Sequence, residues 1–337
     1  MFGYPMRKAS EDVSGGSSAP RRKLGVVLGA GAARGWAHIG ALQELAAIGV
    51  VPDIVVGSSV GAVVGGCFAA GKLDQLEIFT RSLTKRRVFG LIDVSFNGGG
   101  LIGGDRLRLR LEESMGEVNI EDLPLRFASV ATEISTGHEI WLKRGPLVEA
   151  MRASYALPGI FEPVFVGGRW LIDGAIVNPV PISVARAMGA DQVIALNIAS
   201  DGFGRGTAIQ NPDHHEHPAA VVGPVAAAPA PRSAGVIDSL RERTGLFRRQ
   251  IANPGPGAPG LAQVMVDAFN ITQDRIMRSR LAGDPPDVLV TMRVGKIGLF
   301  EFHRAEELIA LGRDAVRRAS SESLEAADRP RPVTADA

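Results

Sequence analysis

The chain has one cysteine, Cys67, in 337 residues. That excludes an intramolecular disulfide framework and any cysteine-rich zinc or iron–sulfur site. Long apolar runs are also missing. No stretch of about 20 apolar residues occurs, so no bilayer-spanning helix is expected. The opening residues, MFGYPMRKASEDVSGGSSAP, lack an apolar core long enough for a secretory signal. Nor does one sign of charge dominate: 37 Lys and Arg against 36 Asp and Glu give a formal charge of +1. No global field therefore recruits nucleic acid or repels a membrane. With 45% hydrophobic and 22% charged residues, the composition is that of a globular protein. The expectation is a soluble cytoplasmic protein with no nucleic-acid partner, and six histidines leave a histidine–carboxylate metal site formally open.

Residues 1–22 are polar, rich in Ser, Gly and Arg, and read as a flexible tail. From Lys23 short β-branched runs alternate with amphipathic stretches. Leu24–Leu28 and Ile54–Val56 are runs of buried-strand type, each stopped by glycine. Between them Trp36, Ile39, Leu42, Leu45 and Ile48 recur at helical spacing, with Gly49 as a C-cap. Val60, Val63, Val64, Cys67 and Phe68 mark a second helical face. This order predicts a parallel sheet covered by helices. Further along, 127–132 and 139–142 read as a hairpin, 182–188 as a helix, 192–197 and 289–294 as strands, and 305–317 as the last helix. Residues 201–260 differ from the rest. They carry Asp213-His214-His215-Glu216-His217, an Ala/Pro/Val run and Gly-Pro repeats, and are expected to be a mobile insertion containing a short basic helix at 238–251. Residues 319–337 are expected to be a polar tail.

Gly57-Ser58-Ser59-Val60-Gly61 matches G-x-S-x-G, between a predicted strand and a predicted helix. That context makes Ser59 a candidate nucleophile, on a tight turn at the positive end of a helix. Gly29-Ala30-Gly31-Ala32-Ala33-Arg34-Gly35 follows the first strand, and stacked glycines there expose backbone N–H groups able to hold a phosphate or an oxyanion. A dinucleotide site fails on two spacings. The third glycine comes one residue late, and Asp53 opens the second strand where a ribose acid belongs at its far end. An oxyanion nest beside an exposed serine fits better. The base is open on residue chemistry alone. Asp173, ending a predicted strand and followed by Gly174, serves equally as base or turn-former. His303 completes the order Ser…Asp…His, although the elbow here follows only the second strand. His38 reads as a packing residue and His138 as exposed. His214, His215 and His217 read as a solvated stretch.

Four blocks together resemble the patatin-like phospholipases, especially the bacterial branch similar to the neuropathy target esterase catalytic domain: LGAGAARGWAHIGAL (28–42), GSSVGA (57–62), AMRASYALPGIFEPV (150–164) and WLIDGAIVNPVPI (170–182). The resemblance implies a three-layer α/β/α fold with a mainly parallel sheet over 23–318, interrupted by the insertion. It also implies a Ser–Asp dyad with no catalytic histidine and no cofactor or metal. Carried over, Ser59 is the nucleophile and Asp173 the base, with Gly29, Gly31, Ala32 and Arg34 in the oxyanion loop. Ala30 and Ala175 depart from the family's usual glycines. The implied activity is hydrolysis of phospholipid, lysophospholipid or related long-chain esters through an acyl-serine. A carboxylesterase or thioesterase for short soluble substrates, and a non-catalytic adaptor, are the alternatives. Arg34 is expected to orient the nest, meet a substrate phosphate or make a surface salt bridge. Residues 73–96, with Arg81, Lys85, Arg86 and Arg87, and the basic stretch near 241–251 are candidates for peripheral contact with anionic lipid.

Overall fold

The computed structural model describes residues 22–91, 100–102, 104–199, 261–295 and 297–327. In chain order the first elements are β1 (Leu24–Leu28), a 3-10 turn (Ala32–Trp36), α1 (Ala37–Ala47), β2 (Ile54–Ser58) and α2 (Val60–Ala69). Next come α3 (Leu73–Arg81), α4 (Lys85–Leu91), β3 (Gly100–Ile102), α5 (Asp105–Met115), β4 (Arg126–Glu133) and β5 (Glu139–Leu142). There follow α6 (Leu147–Tyr155), β6 (Gly159–Phe161), β7 (Val164–Val166), β8 (Arg169–Asp173), α7 (Ile182–Ala187) and β9 (Gln192–Ala199). The last elements are α8 (Leu261–Gly283), β10 (Val288–Arg293) and α9 (Ala305–Ala327). The chain divides into two compact units, Met1–Gly202 with Ile276–Ala337, and Phe203–Arg275. In the second unit only the first part of α8 is described.

The main sheet has the order β10-β9-β1-β2-β4-β8-β7, and β5 also pairs with β4. From β10 to β4 every pair is parallel; β5, β8 and β7 join antiparallel. β3 and β6 form a separate two-stranded ribbon. The strand period of two sends alternate residues to opposite faces. Val26, Leu28, Val55 and Phe127 pack on one side with Ile39 and Leu42 of α1, Val64 of α2, Met151 of α6 and Ile309 of α9. Val27, Ile54, Val56, Ala128 and Val130 pack on the other with Ile182, Val184 and Ala185 of α7, joined by Met277 and Leu281 of α8. Helix, sheet and helix therefore make the expected three-layer α/β/α arrangement. Burial on both faces explains why β1 and β2 read as unbroken apolar runs.

Two sequence boundaries move. β2 continues through Gly57 to Ser58, because Gly57 stays in register opposite Leu28 of β1. The last helix reaches Ala327, beyond the expected end at Arg317 and into the expected polar tail. Residues 318–327 contain no Gly or Pro to stop it, and Leu324, Glu325, Ala326 and Ala327 are helix formers. The 1–21 segment, the 201–260 insertion with its histidines and its 238–251 stretch, and residues 92–99 lie outside the described residues. Among the described residues no helix is long and apolar enough to cross a membrane.

α1 and α9 touch backbone to backbone. A Cβ at Gly40 would fall on the Ile309 carbonyl, and one at Gly312 on the Ala37 carbonyl. Gly283, at the end of α8, faces open space. Gly312→Ala should therefore destabilise by about 1–3 kcal/mol despite alanine's higher helix propensity, because the helices must separate. Gly283→Ala should be neutral or stabilise by about 0.5 kcal/mol. Urea unfolding of the two variants checks the contrast.

Candidate active site

β1 and β2 are parallel neighbours, with Leu28 opposite Gly57. The loop after β1 and the turn after β2 therefore emerge side by side at the carboxyl end of the sheet. Two glycines, Gly61 and Gly35, let them close together, and a third, Gly57, lets the turn itself close. A Cβ at Gly61 would run into the Leu28 carbonyl and come within 2.8 Å of the Gly29 carbonyl. One at Gly35 would land on the Val60 side chain. At Gly57 it would strike the Gly61 carbonyl and the Ala62 amide of the turn itself. The glycines of G-x-S-x-G are thus set by backbone approach.

Ser59 sits at the apex with φ 56° and ψ −127°, in the left-handed region that side chains avoid. Such strain costs about 1–3 kcal/mol and persists only where neighbours enforce it. Here the Ser59 N–H donates to Ser154 Oγ at 2.9 Å, and the Ser154 hydroxyl donates to the Val130 carbonyl at 2.5 Å. α2 starts immediately after Ser59, so the unpaired N–H groups of its first turn face that residue.

Asp173 reaches Ser59 through the sheet. Along β4, Ser58 of β2 pairs with Val130 and Asp173 of β8 pairs with Ala131. β5 takes the opposite edge over Ser129–Thr132, so β2 and β8 share one edge and meet carboxyl end to carboxyl end. The Ser59 hydroxyl donates to Asp173 Oδ2 at 2.7 Å, and Asp173 Oδ1 accepts the Ala175 N–H at 2.8 Å. Its backbone is held too, by the Thr132 hydroxyl on its carbonyl and by its own N–H donated to Ala156. Gly174 is required because a Cβ there would strike the Val130 carbonyl. Asp173 is 2% exposed. Burial drives its pKa up to about 7, against the opposing hydrogen bonds from the Ala175 amide and Ser59 hydroxyl.

The glycine-rich loop divides its amides. Gly29 N–H goes to the Leu196 carbonyl, Ala30 N–H to Pro179, Ala33 N–H to Leu299 and Arg34 N–H to Gly31. Among the described residues, the Gly31 and Ala32 amides have no such acceptor. Among the described residues Ala32 is the other non-glycine with positive φ, at 48°. The half-buried Arg34 donates Nε–H to the Ile297 carbonyl at 2.6 Å, and burial lowers its pKa. It ties the loop to the segment before α9.

Among the described residues no histidine bonds either dyad side chain. His303 lies in the 3-10 turn Phe302–Arg304 near Glu301. His138 is exposed. His38 is fully buried and bonds the Gly29 carbonyl, beyond the packing role expected of it. Asp53 accepts the Leu24 N–H at the opposite end of the sheet, away from the glycine-rich loop. Ser154 and Thr132 were not identified from the sequence. Ser154 stands inside the 150–164 block, but its role requires knowing which strand end it meets.

The patatin-like phospholipase family profile matches residues 26–186. An uncharacterised NTE family protein of Mycobacterium bovis is 34% identical over 328 residues, covering 88% of this chain and 91% of the relative. One of Mycobacterium tuberculosis is 29% identical over 308 residues, covering 88% of this chain and 46% of that protein. A patatin-like phospholipase domain-containing protein of Caenorhabditis elegans is 34% identical over 184 residues, covering 52% of this chain and 14% of the relative. With its α/β fold and these matches, the chain belongs to the NTE branch of the patatin-like phospholipases, a family of lipid acyl hydrolases.

Proposed function

We propose that this chain is a serine lipid acyl hydrolase that cleaves the carboxylic ester of a phospholipid, lysophospholipid or related long-chain ester through a Ser59–Asp173 dyad. The observation that carries this reading is the 2.7 Å bond from the Ser59 hydroxyl to a buried carboxylate. Ser59 Oγ attacks the ester carbonyl as its proton passes to Asp173 Oδ2. Negative charge develops on the carbonyl oxygen, and the free amides of Gly31 and Ala32 receive it. Gly29 and Arg34 serve the loop's own structure, since their amides already have acceptors. Asp173 then returns the proton to the leaving alcohol or lysolipid. Water, deprotonated by the same carboxylate, attacks the acyl carbonyl, and Asp173 returns that proton to Ser59 Oγ as the carboxylic acid leaves. Each step uses a side chain or amide of this chain.

An ordinary aspartate, with a pKa of about 3.9, is a poor base for a serine hydroxyl. A value near 7 matches base strength to neutral operating conditions, and its physical cause is burial. Contact with the lipid phase is assigned to α3 and α4, where Ile78 is 71% exposed and Lys85 and Arg86 are exposed nearby. Such a surface suits peripheral attachment to anionic lipid.

A fluorophosphonate probe should label wild-type protein at Ser59 alone, with the adduct mapped by mass spectrometry. Ser59→Ala should take no label and lose at least about 10⁴-fold in kcat. Asp173→Asn should label more slowly and lose about 10²–10⁴-fold. Folded wild-type protein that takes no label would falsify the hydrolase reading. Preference for acetyl and butyryl over long-chain esters would instead favour a soluble-substrate esterase.

Hydrolysis should rise with pH through a single limb near 7, as Asp173 loses its proton. Stability should move the other way. The unfolded chain ionises Asp173 near pH 4 and the fold only near 7, so its favourable contribution is complete below about 4 and lost as pH rises through 7. Between pH 4 and 8 the stability of Asp173→Asn relative to wild type should therefore increase by a few kcal/mol. Urea titrations at both pH values measure it; an unchanged difference would refute burial as the source of the base strength.

A further inference from the structure

His38 is completely buried on α1, and its Nε2 lies 2.8 Å from the Gly29 carbonyl oxygen. A carbonyl can only accept, so Nε2 carries the proton and the ring is the neutral Nε2–H tautomer. Burial holds its pKa down to about 4, so it stays neutral at working pH. Its other nitrogen, Nδ1, has no hydrogen-bond partner among the described residues. An unpartnered buried nitrogen is a stability liability that leucine would not carry, so packing alone does not account for histidine here.

The bonded carbonyl belongs to a peptide on which the site converges. The Gly29–Ala30 peptide is a rigid plane. Its carbonyl accepts the hydrogen bond from His38 Nε2–H, and its N–H donates to the Pro179 carbonyl at 2.9 Å. Pro179 lies in the loop that follows Asp173. The turn bearing Ser59 packs on the same carbonyl through Gly61. The next two amides, Gly31 and Ala32, lack acceptors among the described residues. Gly29 and Gly31 have little intrinsic resistance to rotation. A turn of this peptide would carry the following amides away from the position where negative charge develops.

We propose that His38 is a positioning residue for acyl transfer, clamping the Gly29 carbonyl through Nε2–H and so fixing the direction of the Gly31 and Ala32 amides. The proposal rests on the oxyanion reading of that loop given above. His38 touches no substrate and carries no proton in the reaction.

The test compares His38→Leu with His38→Gln, whose side-chain N–H reaches about as far as Nε2, in hydrolysis of p-nitrophenyl esters. His38→Leu should lose about 10²-fold in kcat, the typical effect of displacing a donor by about 1 Å, with KM within about 3-fold. The limb near pH 7 should not move, and fluorophosphonate labelling should slow in parallel. His38→Gln should recover to within about 10-fold of wild type. Folded His38→Leu with wild-type kcat, or folded His38→Gln no better than His38→Leu, overturns the proposal. If His38→Leu does not fold, His38→Gln decides alone: recovery supports the clamp, and a full loss in folded protein overturns it. Independently, ¹⁵N-histidine NMR of wild-type protein should show the Nε2–H tautomer without titration between about pH 5.5 and 9. An Nδ1–H tautomer, or titration near 6.5, removes the clamp whatever the activity. Wild-type protein that shows this tautomer but hydrolyses no ester defeats the hydrolase reading, and the positioning role with it, while leaving the clamp geometry intact.

Discussion

The site depends on one edge of β4 accepting two strands in succession. β2 runs parallel to β4 and ends at Ser58, opposite Val130. β8 runs antiparallel and ends at Asp173, opposite Ala131. Opposed directions on a shared edge bring two carboxyl ends together, so residues 114 apart in the chain become hydrogen-bonded neighbours. Register controls this contact, because a one-residue slip of β8 would turn the Asp173 side chain to the other face of the sheet. The pairing of Leu171, Ile172 and Asp173 with β4, and of β7 with β8, fixes that register.

What is assembled there opposes stability. Ser59 and Ala32 hold backbone angles that cost about 1–3 kcal/mol each, and Asp173 is deprived of water. The surroundings hold these features in place through Ser154, Thr132 and the Ala175 amide, each bound to a buried group. Beneath them the α1–α9 contact packs the outer layer tightly through Gly40 and Gly312. The burial that raises the Asp173 pKa does so by destabilising its charged form. The ionised fraction of Asp173 therefore rises with pH while its contribution to fold stability falls.

Legibility followed the range of the interaction. β1, β2, α1 and α2 could be read because their patterns are local and their strands are buried on both faces. The hairpin 127–132 with 139–142 also matches β4 and β5 closely, since a short turn joins antiparallel neighbours. Asp173 could not be separated from a turn-former by residue chemistry, because its meaning lies in a long-range strand pairing. The four resembling blocks supplied the assignment. His38 reads as packing because Trp36 and Ile39 flank it; its bond to the Gly29 carbonyl is visible only in the structure. β6 and β7 have three residues each, too short to give a periodic signal.

The loop residues separate into two kinds by what their neighbours require. Gly57, Gly61, Gly35 and Gly174 have no room for a Cβ, because backbone or a packed side chain occupies that volume. Substitution there would push apart the elements that hold Ser59 and Asp173. Ala30 and Ala175, which stand where the family often has glycine, each supply an amide to the site, and Ala175 is fully buried. One binds the Pro179 carbonyl and the other Asp173 Oδ1, and neither has a positive φ. Any residue except proline supplies such an N–H. Alanine at these two positions therefore keeps both amide contacts, one to the Pro179 carbonyl and one to Asp173.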